Sequence, residues 1–107
     1  MDLVKTQQIV VQFLKDITPQ HPTLQYQIVR DTHQHHYQLV VTGWQQTKRI
    51  HGIVVQIDLR DDLVWIQENG TDFDIAAELE ERGIEKSKIV LAYLSPRNTS
   101  HITASGQ

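Results

Sequence analysis

Apolar residues along this chain change from a helical period to a strand period and back again. Leu3, Val10, Phe13, Leu14 and Ile17 fall on one stripe, which predicts a helix over residues 3–17. Asp2 is placed to cap its start, and Pro19 stops it. Period-two alternation then marks strands with one buried face. Leu24, Tyr26 and Ile28 alternate with Gln25 and Gln27 in a strand over 24–31. Tyr37, Leu39 and Val41 alternate with Gln38 and Thr42 in a strand over 36–42. The link between them, Thr32-His33-Gln34-His35, is short enough for a hairpin. The longest predicted strand, 48–59, places His51, Ile53, Val55, Ile57 and Leu59 on one face. Asp61-Asp62 is a two-residue turn before a strand over 63–68.

That turn predicts a register. It sets Arg60 opposite Leu63, Leu59 opposite Val64 and Ile57 opposite Ile66. The other face then holds Asp58 beside Trp65 and Gln56 beside Gln67. A primed turn needs positive φ, which Asp tolerates less well than Gly or Asn, so strain is expected here. Gly70-Thr71 opens a second predicted helix, with Thr71 as N-cap, Asp74 completing a capping box, and Ile75, Ala76, Leu79 and Arg82 as the inward stripe. Gly83 suits the position after the helix, and Ile84 can fold back on it. Lys88 to Leu94 reads as a fifth strand. Helix, four-stranded antiparallel meander, helix and fifth strand define an α+β two-layer domain with helices on one sheet face.

Length and composition narrow the class. One domain accounts for all 107 residues, and the stretch 95–107, with Pro96, Gly106 and several Asn, Thr and Ser, reads as a loosely ordered tail. Apolar residues at 39% and charged residues at 21% describe a globular chain. The net charge of −3 argues against general binding to a phosphate backbone. Without cysteine there is no disulfide, thiolate nucleophile or zinc–thiolate cluster. No secretory signal is evident at Met1 to Gln8, and no apolar run approaches the roughly 20 residues that span a bilayer. A cytoplasmic location is the expectation. Of thirteen glutamines, Gln25, Gln27, Gln38, Gln56 and Gln67 fall opposite the apolar positions of strands. They make one sheet face polar but uncharged.

Several residues invite a chemical reading. His33, His35, His36 and His51 are metal-ligand types, but the first two flank a turn, and His51 sits among apolar strand positions where a packed histidine is the simpler account. Asp58, Asp61, Asp62 and Glu68 resemble the carboxylates of a nuclease. Two of them are the turn itself, and Asp58 and Glu68 are expected on opposite faces. Asn69-Gly70-Thr71 precedes a helix, yet one glycine is not a phosphate loop and Asp72 and Asp74 repel anions. Lys48, Arg49 and Arg60 are too few for a nucleic-acid surface. No Gly-x-Ser-x-Gly turn is present. Trp44 and Trp65 are more informative. Trp44 lies at the mouth of the second hairpin, and Trp65 faces away from the core on the face expected to hold Gln38, Val40, Gln56 and Gln67. An uncharged, hydrogen-bonding surface with aromatic anchors suits a protein partner.

Two long segments carry a family resemblance. They are His51-Gly52-Ile53-Val54-Val55-Gln56-Ile57-Asp58-Leu59 and Val64-Trp65-Ile66-Gln67-Glu68-Asn69-Gly70-Thr71. With His36-Tyr37-Gln38-Leu39, Gly43-Trp44, Ile75-Ala76, Leu79 to Gly83 and Ile89-Val90-Leu91-Ala92-Tyr93, they resemble the XisI family, the fdxN element excision controlling factor proteins found mainly in cyanobacteria. The resemblance runs from the first helix to Pro96. Gln56 stands where the family pattern has histidine, Asp61-Asp62 replaces an Asp-Gly turn, and Glu85 to Lys88 lacks a proline.

The resemblance implies a role in controlling excision of a DNA element during heterocyst differentiation, together with an XisH-like partner and a separate recombinase. It implies an accessory, non-enzymatic protein with no cofactor and no metal. The expectation is that Trp44, Gln38, Gln56, Trp65 and Gln67 form an interface for the XisH-like protein or for a second copy of the chain. The alternative is a DNA-binding recombination directionality factor.

Overall fold

The computed structural model describes residues 2–94. The predicted tail at 95–107 lies outside them. Helix α1 (Leu3–Ile17) is followed by strands β1 (Leu24–Asp31), β2 (His36–Gln45), β3 (Lys48–Arg60) and β4 (Leu63–Asn69). Helix α2 (Ile75–Glu81), a single 3-10 turn (Lys86–Lys88) and strand β5 (Ile89–Leu91) complete the order. The sheet runs β1-β2-β3-β4-β5, antiparallel through β4, with β5 parallel to β4. This is the expected α+β arrangement. The fifth strand is shorter than 88–94, because the chain turns away after Leu91.

Both helices lie on one face of the sheet. Val10, Phe13 and Leu14 from α1 and Ile75, Ala76 and Leu79 from α2 form one cluster with Tyr37, Leu39, Val55, Ile57, Leu59, Val64, Ile66 and Ile89. Arg82 ties the helices at their ends. Its Nη1 lies 2.7 Å from Asp16 Oδ2, and its guanidinium stacks 5.3 Å from the Phe13 ring centre. Asp2 caps α1 by accepting from Lys5 N at 3.2 Å, as its position suggests. The C-terminus of α2 is a Schellman motif: Gly83, at φ 111°, donates to Glu80 O, Ile84 donates to Leu79 O, and the Ile84 side chain is buried.

The start of α2 differs from expectation. Asp74, not Thr71, is the N-cap, accepting from Ala77 N at 3.1 Å. Asn69 outcompetes the helix for Thr71. Its Oδ1 accepts from Thr71 N at 2.9 Å and from Thr71 Oγ1 at 2.6 Å, while its Nδ2 donates to Phe73 O. This local turn holds 70–73 out of the helix.

The Asp61-Asp62 turn has φ of 55° and 60°, the predicted primed geometry, and sets Arg60↔Leu63, Leu59↔Val64, Asp58↔Trp65 and Ile57↔Ile66. Beyond Ile57 the register shifts: Gln56 opposes Glu68, not Gln67. A second shift lies between β2 and β3, where Leu39 pairs with Val55 but Val40 pairs with Ile53. Val54 is the extra residue, and it and Val55 both pack toward the helices. This reverses the phase of the first half of β3. Ile53 and His51, expected on the buried face, are exposed on the other one.

Gly43 fixes the entry to β1. Its φ is 149°, and a Cβ there would collide with Thr23 O and the Leu24 Cα. Trp44 N and Thr23 O are hydrogen-bonded at 3.2 Å across the same point.

Candidate functional site: the open sheet face

Strand alternation and the two bulges decide what the uncovered face presents. β1 contributes Gln25, Gln27, Val29 and Asp31, each facing its register partner on β2: Thr42, Val40, Gln38 and His36. β3 adds Ile53 beside Val40, His51 beside Thr42, and Asp58 beside His36. Trp65 lies beside Asp58 on the far side, next to Val90. All five residues expected to form an interface, Trp44, Gln38, Gln56, Trp65 and Gln67, fall on this face.

A polar network occupies its centre. Asp58 is 6% exposed, yet it is fully partnered. Its Oδ1 lies 2.8 Å from His36 Nδ1 and 3.2 Å from Gln56 Nε2, and its Oδ2 lies 3.1 Å from Gln67 Nε2. Gln38 Nε2 donates to Gln56 Oε1 at 3.0 Å. A carboxylate only accepts, so this geometry requires His36 to carry its proton on Nδ1 and both glutamines to turn their NH2 groups inward. The bulge at Gln67 makes the network possible, since it turns that amide toward Asp58. Gln56 serves as both donor and acceptor between Gln38 and Asp58.

Two arginine–tryptophan pairs bracket the network. Arg60 lies 4.4 Å from the Trp65 ring centre, and Trp65 Nε1 donates to Arg60 O at 3.1 Å. At the other end of β3, Arg49 lies 5.6 Å from the ring centre of Trp44, which is 52% exposed. Between them sit apolar side chains that sequence reasoning misplaced or overlooked. Val29 and Ile53 are each 42% exposed; Ile53 faces Val40, and Val29 faces Gln38, one pair further along β2. In Ile53-Val54-Val55 three apolar residues in a row break strict alternation, so the phase of Ile53 is not fixed by the pattern.

The other candidate residues do not converge. Asp31 closes its own turn, accepting from His33 N at 2.9 Å and Gln34 N at 3.0 Å, and these amides hold its carboxyl below the usual range. His35 Nδ1 is 3.2 Å from Gln7 Nε2 on the helix side. Asp62 pairs with Lys88 at 2.9 Å, and this contact lowers the carboxyl pKa. Among the described residues, no three His, Asp or Glu side chains are grouped to hold a metal ion. Nor, among them, is any helix long and apolar enough to cross a membrane.

The fold and this face define the class: a small α+β protein with helices on one side of a five-stranded sheet and a mixed apolar and amide surface on the other. The family model described as XisI protein matches residues 1–104, and the chain belongs to the XisI family. A solved XisI-like protein from Anabaena variabilis ATCC 29413 is 33% identical, with a TM-score of 0.83 over 91% of this chain and 92% of that one. The fdxN element excision controlling factor XisI from the same organism shares the fold, at 23% identity and a TM-score of 0.75 over 90% of this chain and 96% of that one. No curated protein gives a significant match.

Proposed function

We propose that this protein is a non-enzymatic accessory factor in the control of DNA-element excision, acting by binding an XisH-like partner through its open sheet face. Family membership supports the setting. The observation that carries the mode of action is the set of apolar side chains, Val40 facing Ile53 with Val29 on the neighbouring pair, beside a polar network whose hydrogen bonds are already satisfied. Such a surface can be desolvated at low cost, because its buried donors and acceptors keep their partners when water leaves. Trp44 and Trp65 supply large anchors near its two ends, each held by an arginine. The net charge of −3 favours a protein partner over a nucleic-acid backbone.

The test is co-elution with an XisH-like protein on size exclusion, using wild type, Ile53→Asp and Trp65→Asp. Ile53 is the cleaner probe because its side chain is exposed and makes no hydrogen bond. Wild type is expected to co-elute and both variants to elute separately. Undiminished co-elution of a folded Ile53→Asp would overturn the sheet-face assignment.

A further inference from the structure

The two edges of the sheet are unlike. β5 is three residues long, whereas β1 is eight residues long and pairs with β2 without a bulge. Edge strands of soluble proteins are normally blunted by proline, lysine, a bulge or shortness. Over Leu24–Asp31 there is no proline and no lysine, and the two charged residues, Arg30 and Asp31, stand together at one end.

The hydrogen-bond phase of β1 follows from two bonds. Trp44 N donates to Thr23 O, and Leu59 N donates to His35 O. Along an antiparallel strand, residues alternate in which neighbour they bond. The second bond directs odd residues of β2 near His35 to β3, leaving even ones for β1, which agrees with the first. Gln25, Gln27, Val29 and Asp31 therefore bond to β2, opposite Thr42, Val40, Gln38 and His36. Leu24, Tyr26, Ile28 and Arg30 turn their N–H and C=O groups outward. Tyr26 and Ile28 are also only partly buried, packed on the rim of the core where the helical layer ends.

We propose that β1 pairs antiparallel with β1 of a second copy of this chain, joining two sheets into one of ten strands, with Ile28 on the two-fold axis. The self-complementarity of the strand selects both occupant and register. Centred on Ile28, the bonded pairs are Ile28 with Ile28 and Tyr26 with Arg30. Tyr26 and Arg30 then meet as ring and cation at both ends. On the open face, Gln25 lies opposite Asp31, an amide donor against a carboxylate, and Gln27 lies opposite Val29. A register centred on Gln27 sets Arg30 against Leu24 and Asp31 against Thr23, whose hydroxyl already donates to Trp44 O, and one centred on Val29 sets Arg30 against Ile28. The dimer covers the rim positions Tyr26 and Ile28 and makes the two open faces continuous. It goes beyond partner binding and does not depend on it.

Sedimentation velocity over micromolar to several hundred micromolar protein tests this. Wild type is expected to shift with concentration from 12.4 kDa toward twice that mass. Ile28→Pro removes an outward N–H without touching the β1–β2 ladder, and Ile28→Lys sets two ammonium groups face to face on the axis. Both are expected to remain monomeric with unchanged circular dichroism. In amide exchange, Tyr26, Ile28 and Arg30 are expected to be protected only at high concentration, while Gln27 and Val29 are protected throughout. Wild type that stays monomeric over the whole range would overturn the proposal. So would a folded Ile28→Lys that dimerises as wild type does, or outward amides that exchange at the same rate at all concentrations.

Discussion

His36 and Asp58 face each other across β2 and β3, with Nδ1 2.8 Å from Oδ1. Asp58 is almost enclosed, and the histidine, Gln56 and Gln67 satisfy it. An enclosed carboxylate is costly unless each lone pair finds a donor, and loss of the acceptor strands those donors. Asp58→Ala is therefore expected to lower unfolding free energy by about 1–3 kcal/mol in urea titration. Asp58→Asn should fall in the same direction, because its own NH2 group meets donors. An unchanged midpoint for Asp58→Ala would show that the network contributes nothing to the fold.

Gly43 should resist substitution. A Cβ at this φ is strained, and it would also strike Thr23 O and Leu24. Gly43→Ala is expected to destabilise by about 2 kcal/mol or more, and hydrogen exchange should localise the loss to the β1–β2 ladder.

Tyr37 is fully enclosed, and its hydroxyl has no hydrogen-bond partner among the described residues. Gln7 approaches it, but the Gln7 amide nitrogen lies against His35. Tyr37→Phe removes an unsatisfied group and is expected to stabilise the fold, by up to about 1 kcal/mol. Burial pushes the Tyr37 phenol above its ordinary value of 10.0. A phenol that resists ionisation in the folded state weakens folding as pH rises past that value. Wild type should therefore lose stability above pH 10 more steeply than Tyr37→Phe in thermal melts.

Asp62 and Lys88 link the β3–β4 turn to the chain just before β5. Lys88 lowers the Asp62 carboxyl pKa, and Asp62 raises the Lys88 ammonium pKa. The Asp62 contribution is present above its unfolded value of 3.8 and is lost as pH falls through the lower folded value. The Lys88 contribution is present below 10.5 and is lost as pH rises through the higher folded value. Arg82 lowers the Asp16 carboxyl in the same way, chiefly through its hydrogen bond. Thermal melts across pH 2–11 should show a plateau with both flanks shallower in Lys88→Met. Identical flanks would show that this exposed pair carries no pH dependence.

The fold was legible wherever one periodicity persisted. The stripe Val10, Phe13 and Leu14 marked α1, and the Asp61-Asp62 turn set Leu59 against Val64 and Ile57 against Ile66. Errors began where the backbone added a residue. The Val54 bulge moved Ile53 and His51 to the open face, and the Gln67 bulge brought Glu68 opposite Gln56. Alternation counts residues and cannot see an insertion, so its phase is wrong from the bulge onward. For that reason Ile53 was hidden while the glutamines of the face were visible; Val29 continues the unbroken alternation of Gln25 and Gln27 and was legible by the same rule. Asp58 was visible as a carboxylate, but its role required the three-dimensional convergence of three strands.

The absence of cysteine allows the open face to be probed directly. Ile53→Cys places a single thiol on that face, and Gln8→Cys places one on the exposed side of α1. The measurement is the alkylation rate of each thiol with and without a saturating XisH-like partner. Shielding of Ile53→Cys, with Gln8→Cys reacting at its free rate, is the predicted result. An unshielded Ile53→Cys together with a protected Gln8→Cys would contradict the account and place the partner on the helical layer.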